Sequence, residues 1–441
     1  MYMIGMNRRF LLLLAVVCSA AWAQETGPLR LTLHDAVALA LKQNPQVILG
    51  NIGVALSEQE RLVARSALLP QLDGNLAETD NRINLQASLG LPIPGFPEHV
   101  GPFQVFQAGG RFNAPVFDLT LWRRYREARF GIQANRAQEM TLREQAVDLV
   151  VSQYLASQRA TADVEAGKSR VELAQALYDQ AADLQKNGVG TGIDTLRSNV
   201  QLQNEKQRLI VAQTQLQTSL FGLARLLSVD PRREIVLSDQ VNFFETPPVS
   251  AGVTLERAYS TRPELRQILA EQQRAELELK AAGEVRLPRV SVSGFWAEQG
   301  LTPNTAIPVY QYEASLDVPL FTGGRIQAQR AEADLAIKQL KQQEQDVRDR
   351  IALEVKTALA QLESARNEVT VANLGIDLAR QEVVEARDRF QAGVANNIEV
   401  ITAQDELARA NDNQIAALYR YNQSRADLAH SIGQMEALYV K

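Results

Sequence analysis

Between Gly324 and Gly393 about seventy residues pass without a proline, and their apolar positions keep a strict beat. Val355, Ala358, Leu362, Ala365, Val369, Ala372, Ile376, Ala379, Val383, Ala386 and Phe390 follow one another at steps of three and four. That is the 3.5-residue period of a left-handed coiled-coil seam. Alanine at every second seam position lets two backbones approach closely. At about 1.5 Å per residue the helix is a rod on the order of 100 Å long, far longer than a globular domain needs. A first long helix is predicted from Leu119 to Lys186, where Ala160, Val164, Gly167, Val171, Ala174, Tyr178 and Ala181 repeat the small–large seam. A returning helix from Ile193 to Leu227 carries Leu202, Leu209, Leu216 and Leu223 seven apart, and a last helix is expected from Asn397 to Met435.

Two shorter segments alternate with period two, the signature of strands with one apolar and one polar face. Ile83, Leu85, Ala87, Leu89 and Leu91 form one such run, read as a strand, and Phe106, Ala108, Gly110, Phe112, Ala114 and Val116 form the next. Both lie in a strand pair expected over about 71–117. A second pair is expected over about 288–320, from Val290, Val292 and Trp296 and then Tyr312, Ala314, Leu316, Val318 and Leu320. Short helices precede each pair: Thr32 is a plausible cap for one ending near Gln43, and Pro45 suits the first turn of another.

The order recurs. Leu69-Pro70 returns as Leu287-Pro288, Pro115-Val116-Phe117 as Pro319-Leu320-Phe321, and Gly188-Val189 as Gly393-Val394. The chain reads as a tandem duplication of short helices, strand pair, long helix, turn and long helix. The first repeat covers residues 24–250, with its helical hairpin over 119–227 and an irregular segment over 228–250. The second covers 251–441, with its hairpin over 324–436. Four strands have no second layer in this chain to bury their apolar faces, and four cannot close a barrel alone. An apolar outward band and a polar inward face suit a lipid-embedded barrel to which several copies contribute.

Composition narrows the reading. Residues 1–23 form a predicted signal peptide: Arg8 and Arg9, an apolar stretch too short to span a bilayer, and Ala21-Trp22-Ala23 as cleavage site. Removing it takes away Cys18, the only cysteine, so a mature chain would have no disulfide and no thiol chemistry. It also removes two arginines and no acid from a chain already at −5, which makes a poor nucleic-acid binder. His34, His99 and His430 stand in no metal spacing, and no catalytic motif or cofactor site stands out.

In this order and doubled, these motifs resemble the TolC-like outer-membrane efflux proteins, together with Ile193-Asp194 and Ile398-Glu399-Val400 beside the two turns. The resemblance covers essentially the whole chain after residue 23. It implies a mainly α fold with a small β part. Tandem-duplicated helical hairpins from three copies would form an α-barrel through the periplasm, and four strands per copy a shared twelve-stranded barrel in outer-membrane lipid. It implies a homotrimeric conduit without enzymatic chemistry or cofactor, exporting small molecules or proteins, with an inner-membrane transporter supplying energy and a periplasmic adaptor docking at the tip. The competing reading is a periplasmic coiled-coil adaptor or scaffold.

The resemblance also marks positions. The turns Gly188-Val189-Gly190 and Gly393-Val394-Ala395 would meet the adaptor, although glycine also simply permits a turn. Asp194 and Glu399 would form rings of carboxylates at the tunnel entrance, attracting cations. An acid at a helix N-terminus is equally favourable with the helix dipole. Thr402 stands where the family often has another acid. Phe390 replaces a common tyrosine, and Ala395 a residue that can be basic, so the entrance is expected to be held shut differently here. Pro70, Pro115, Pro288 and Pro319 would mark the strand–helix junctions.

Overall fold

The computed structural model describes residues 28–91, 94–95, 97–239, 250–392, 394–395 and 397–440. The expected signal peptide, residues 240–249 of the segment read as irregular, and Gly393 lie outside them. Strand β1 (Leu29–Leu31) leads into helices α1 (Leu33–Gln43) and α2 (Pro45–Ser66). Thr32 closes a capping box with Asp35, and Asn44 caps α2 through the amide of Gln46 at 2.8 Å. Strand β2 (Gln71–Asn84), a short helix α3 (Leu85–Leu89) and strand β3 (His99–Phe117) follow. The first hairpin is α4 (Leu119–Lys186) and α5 (Gly192–Leu226), and strand β4 (Ile235–Leu237) comes after it. The second half runs α6 (Ala251–Thr261), α7 (Pro263–Glu284), β5 (Arg289–Gly300), β6 (Ile307–Asp317), α8 (Arg325–Gln391), α9 (Asn397–Ile432) and α10 (Met435–Tyr439).

Two expectations are corrected. The alternating run from Ile83 to Leu91 is mostly the helix α3. Asn84 caps it by accepting from the amide of Ala87 at 3.0 Å, and Gly90 ends it at φ +72°. Five residues of alternation cannot separate a turn of helix from a strand, and the strand itself lies upstream, from Gln71. The segment 228–250, read as irregular, contains β4, which pairs in parallel with β1 through Leu29↔Ile235 and Leu31↔Leu237.

The four long strands form one antiparallel sheet in the order β2-β3-β5-β6. Each row across it alternates in character. Leu72, Phe112, Gly294 and Tyr312 share one row and face; Asp73, Arg111, Phe295 and Gln311 share the next, on the other face. Below the sheet α2, α4, α7 and α8 lie side by side, and further down the order is α5, α4, α9, α8. The seam of α8 is covered as its period requires: Val355, Ala358, Ala365, Val369, Ile376, Ala379, Val383 and Ala386 are buried. Tyr421 of α9 fills the groove beside Ala365 and Val369.

A core at mid-length ties the ends of the repeats together. It combines Leu31, Ala36, Val37, Val147, Val150, Tyr154, Leu223, Leu227, Ile235, Ala429 and Met435. Tyr154 donates to Leu31 O at 3.0 Å and lies 3.1 Å from Asp239. Burial, with the Asp239 carboxylate beside it, pushes its phenol well above the ordinary tyrosine value.

Candidate functional site: the tip of the helical hairpins

The far end of the hairpins brings the predicted tip residues together. α4 stops at Asn187, and Gly188 continues in the left-handed region at φ +75°, where a side chain is strained. Gly190 packs so closely that a Cβ there would lie 3.0 Å from Gln185 N and Leu184 Cβ. Val189 and Val394, one in each turn, are exposed.

Asp194 sits in the first turn of α5. Thr191 caps that helix: its hydroxyl lies 2.5 Å from Asp194 Oδ2 and 3.4 Å from the Asp194 amide. Arg197 is 4.0 Å away. The carboxylate is therefore part of a cap as well as a charge at the tip.

Glu399 sits in the first turn of α9, and Arg389, near the end of α8, reaches across the turn to it at 2.8 Å. The basic residue at this turn is therefore Arg389 and not position 395, where the resemblance allows one and this chain has alanine. A signal was present, since Arg389 immediately precedes Phe390 and stands ten residues before Glu399. Thr402 is exposed on α9.

Phe390 does not need a hydroxyl to be held. It packs with Leu177 of α4 against Val383, Ala386, Val400 and Ala403. The same ring lines a recess with Leu184, Val189, Gly190, Thr191 and Asp194. An aromatic of the second hairpin is thus seated on the tip of the first.

Higher up, α9 is joined to the first hairpin by polar links. Arg170 of α4 is 2.7 Å from Asp412, and Gln201 of α5 donates to Asp405 at 2.8 Å. The buried Glu205 receives Arg170 at 3.3 Å and Arg208 at 2.6 Å.

At the other end, Pro70, Pro288 and Pro319 lie in the connections between strands and helices. Pro115 lies inside β3, two residues before its end. The pairing with β5 shifts between Pro115 and Phe117, a local irregularity where proline has no amide to give the ladder.

Among the described residues no group of three or more His, Cys, Asp or Glu could hold a metal, and no helix is long and apolar enough to cross a membrane.

The model of the outer membrane efflux proteins matches residues 36–229 and 254–434. The chain belongs to that family. It is an outer-membrane channel for export, with a large periplasmic part. Membership and the four-stranded sheet displace the adaptor or scaffold reading.

A similar curated protein is the alkaline protease secretion protein AprF of Pseudomonas aeruginosa. It is 24% identical over 424 residues, covering 92% of this chain and 85% of the relative. The pyoverdine export outer membrane protein OpmQ of Pseudomonas putida is 23% identical over 333 residues, 71% of this chain and 67% of the relative. Among solved structures, the CmeC outer membrane channel of Campylobacter jejuni superposes with TM-score 0.80 at 18% identity, over 91% of this chain and 85% of that one. VceC of Vibrio cholerae gives 0.76 at 16%, over 91% and 96%. These likenesses are of fold.

Proposed function

We propose that three copies of this chain close into one conduit running from the periplasm through the outer membrane. The observation that carries this is an open row of four elements at three levels: β2-β3-β5-β6, α2-α4-α7-α8 and α5-α4-α9-α8. In each row the first repeat supplies one free edge and the second repeat the other, so the edges are unlike and suit a head-to-tail ring. The edge helices carry the exposed apolar residues such a ring would cover: Ile48, Ile52 and Leu56 on α2, Leu196, Val200 and Phe221 on α5, and Val371, Leu374 and Leu378 on α8.

Residues 24–250 and 251–441 act as two repeats, each giving two strands and one hairpin to the wall, after export by the leader 1–23. The apolar sheet face meets outer-membrane lipid. The exposed turns at Gly188, Val189 and Gly190 and at Val394 and Ala395 receive a periplasmic adaptor, and an inner-membrane transporter supplies the energy. The names of AprF and OpmQ support cargo that is either protein or small molecule. Asp194 and Glu399, repeated around the ring, set the charge of the entrance. Arg389 offsets part of it.

Planar-bilayer recording on purified protein tests the reading. Discrete conductance steps from outer-membrane fractions are expected. A protein recovered from the soluble periplasm that never opens a bilayer would reject it.

A further inference from the structure

The two strand hairpins are related register for register. Gln71 faces Asn113 and Leu72 faces Phe112; in the second repeat Arg289 faces Asp317 and Val290 faces Leu316. Laying Leu69-Pro70 on Leu287-Pro288 and Pro115 on Pro319 reproduces every one of these pairs. The structure also contains one junction between repeats, where β3 meets β5: Gly110 faces Trp296, Phe112 faces Gly294, Ala114 faces Val292 and Phe117 faces Val290. The reverse junction, from β6 to β2, is open.

Exposure follows that difference. Phe117 and Val116, at the closed junction, are 51% and 63% exposed; their counterparts Phe321 and Leu320, at the open one, are 91% and 93% exposed. On the other strand, Val290 is partly covered, whereas its counterpart Leu72 is 79% exposed. The open edges therefore keep the apolar residues of a junction and lack the neighbour.

We propose that β6 of one copy pairs antiparallel with β2 of the next in the register of the internal junction. Leu316 then stands opposite Leu76, Val318 opposite Gly74, Ala314 opposite Glu78 and Tyr312 opposite Asp80, with Phe321 against Leu72. The occupant of both edges is a second copy, so the inference rests on the three-copy reading above. The rows already described put Leu72 and Tyr312 on one face, and this register keeps Leu76 and Leu316 on it. A slip of one residue would set Leu76 beside Ser315 or Asp317 and turn the apolar face inward. Slips of two preserve the faces, and only the repeat symmetry selects among them.

Cysteine pairs test the register. Directly opposed residues have Cα atoms about 4.5–5.5 Å apart, within the span a disulfide bridges. A slip of two residues adds about 6.6 Å along the strand and exceeds the limit of about 7 Å between Cα atoms. Leu76→Cys with Leu316→Cys is expected to oxidise to covalent trimers at least about ten-fold faster than Leu316→Cys with Gly74→Cys or with Glu78→Cys. Glu78→Cys with Ala314→Cys repeats the expected register should Leu76→Cys fail to fold. Faster linkage by either shifted pair, or native trimers that no matched pair links, would overturn the register and leave the three-copy reading standing. Monomers from every variant and from the unaltered protein would overturn that reading itself.

Discussion

Arg389 Nε lies 2.8 Å from Glu399 Oε1, across the turn between α8 and α9. Both side chains are about half exposed, so the pair is worth under about 1 kcal/mol of stability. Its effect is electrical, because the guanidinium cancels the charge of the carboxylate at this turn. Arg389→Gln is expected to raise cation over anion permeability and Glu399→Gln to lower it, read from reversal potentials in a salt gradient. Neither should move the melting temperature by more than a degree or two. Equal reversal potentials in both variants would remove Glu399 from the entrance.

The alanine seam of α8 sets how closely α9 can lie. Ala372 packs against the cluster of Ala365, Val369, Ala417 and Tyr421. Ala372→Leu adds three carbons there and is expected to cost about 1–3 kcal/mol, seen as a lower melting temperature by helix circular dichroism. Full stability with unchanged assembly would mean that the seam is elsewhere.

Arg262, between α6 and α7, is 4% exposed at its side chain. It meets Glu264 and Glu354 at 3.0 Å each and donates to His430 O at 3.0 Å. Arg262→Ala leaves these acceptors with less water than they need and is expected to cost about 3 kcal/mol. Denaturant unfolding measures it. Arg262→Lys should recover only part, since one ammonium cannot meet all three.

The same region carries a pH dependence. Burial pushes the carboxyls of Glu144 and Asp148 above the ordinary range. Two backbone amides, from Met435 and Glu436, and the charge of His430 oppose the shift at Glu144, while Glu436 adds to it. At Asp148, Asp427 adds to the shift and His430 opposes it. Asp148 Oδ1 has no hydrogen-bond partner. The folded state thus binds protons here more tightly than the unfolded chain. The stability these groups contribute is fully present below the ordinary carboxylate values and is lost as pH rises through the raised ones. Asp148→Asn is expected to raise the melting temperature at neutral pH, with the gain shrinking as pH falls. A gain independent of pH would contradict this.

Much of the fold was legible because long elements repeat their signal many times. The seam from Val355 to Phe390 could hardly be anything but a helix, and Thr32 and Pro45 fixed helix starts through local cap chemistry. Short elements were not legible. α3 alternates like a strand over five residues, and β4 is three residues whose only reason to be extended is β1, some two hundred positions away. At the tip, the positions of Asp194, Glu399 and Phe390 came from the family resemblance. Their partners did not: Arg389 and Thr191 act through side-chain geometry, and Leu177 joins Phe390 against one apolar cluster only because the two hairpins pack together. Such contacts are set by tertiary structure and leave no period in the sequence.

The central claim is that unlike free edges from the two repeats close a ring of three chains. Light scattering on the detergent-purified, unheated protein, corrected for bound detergent, tests it most directly. The account predicts a protein mass of three chains that falls to one on heating in SDS. A mass of one chain before heating, with the edges of β2 and β6 still open, would contradict it.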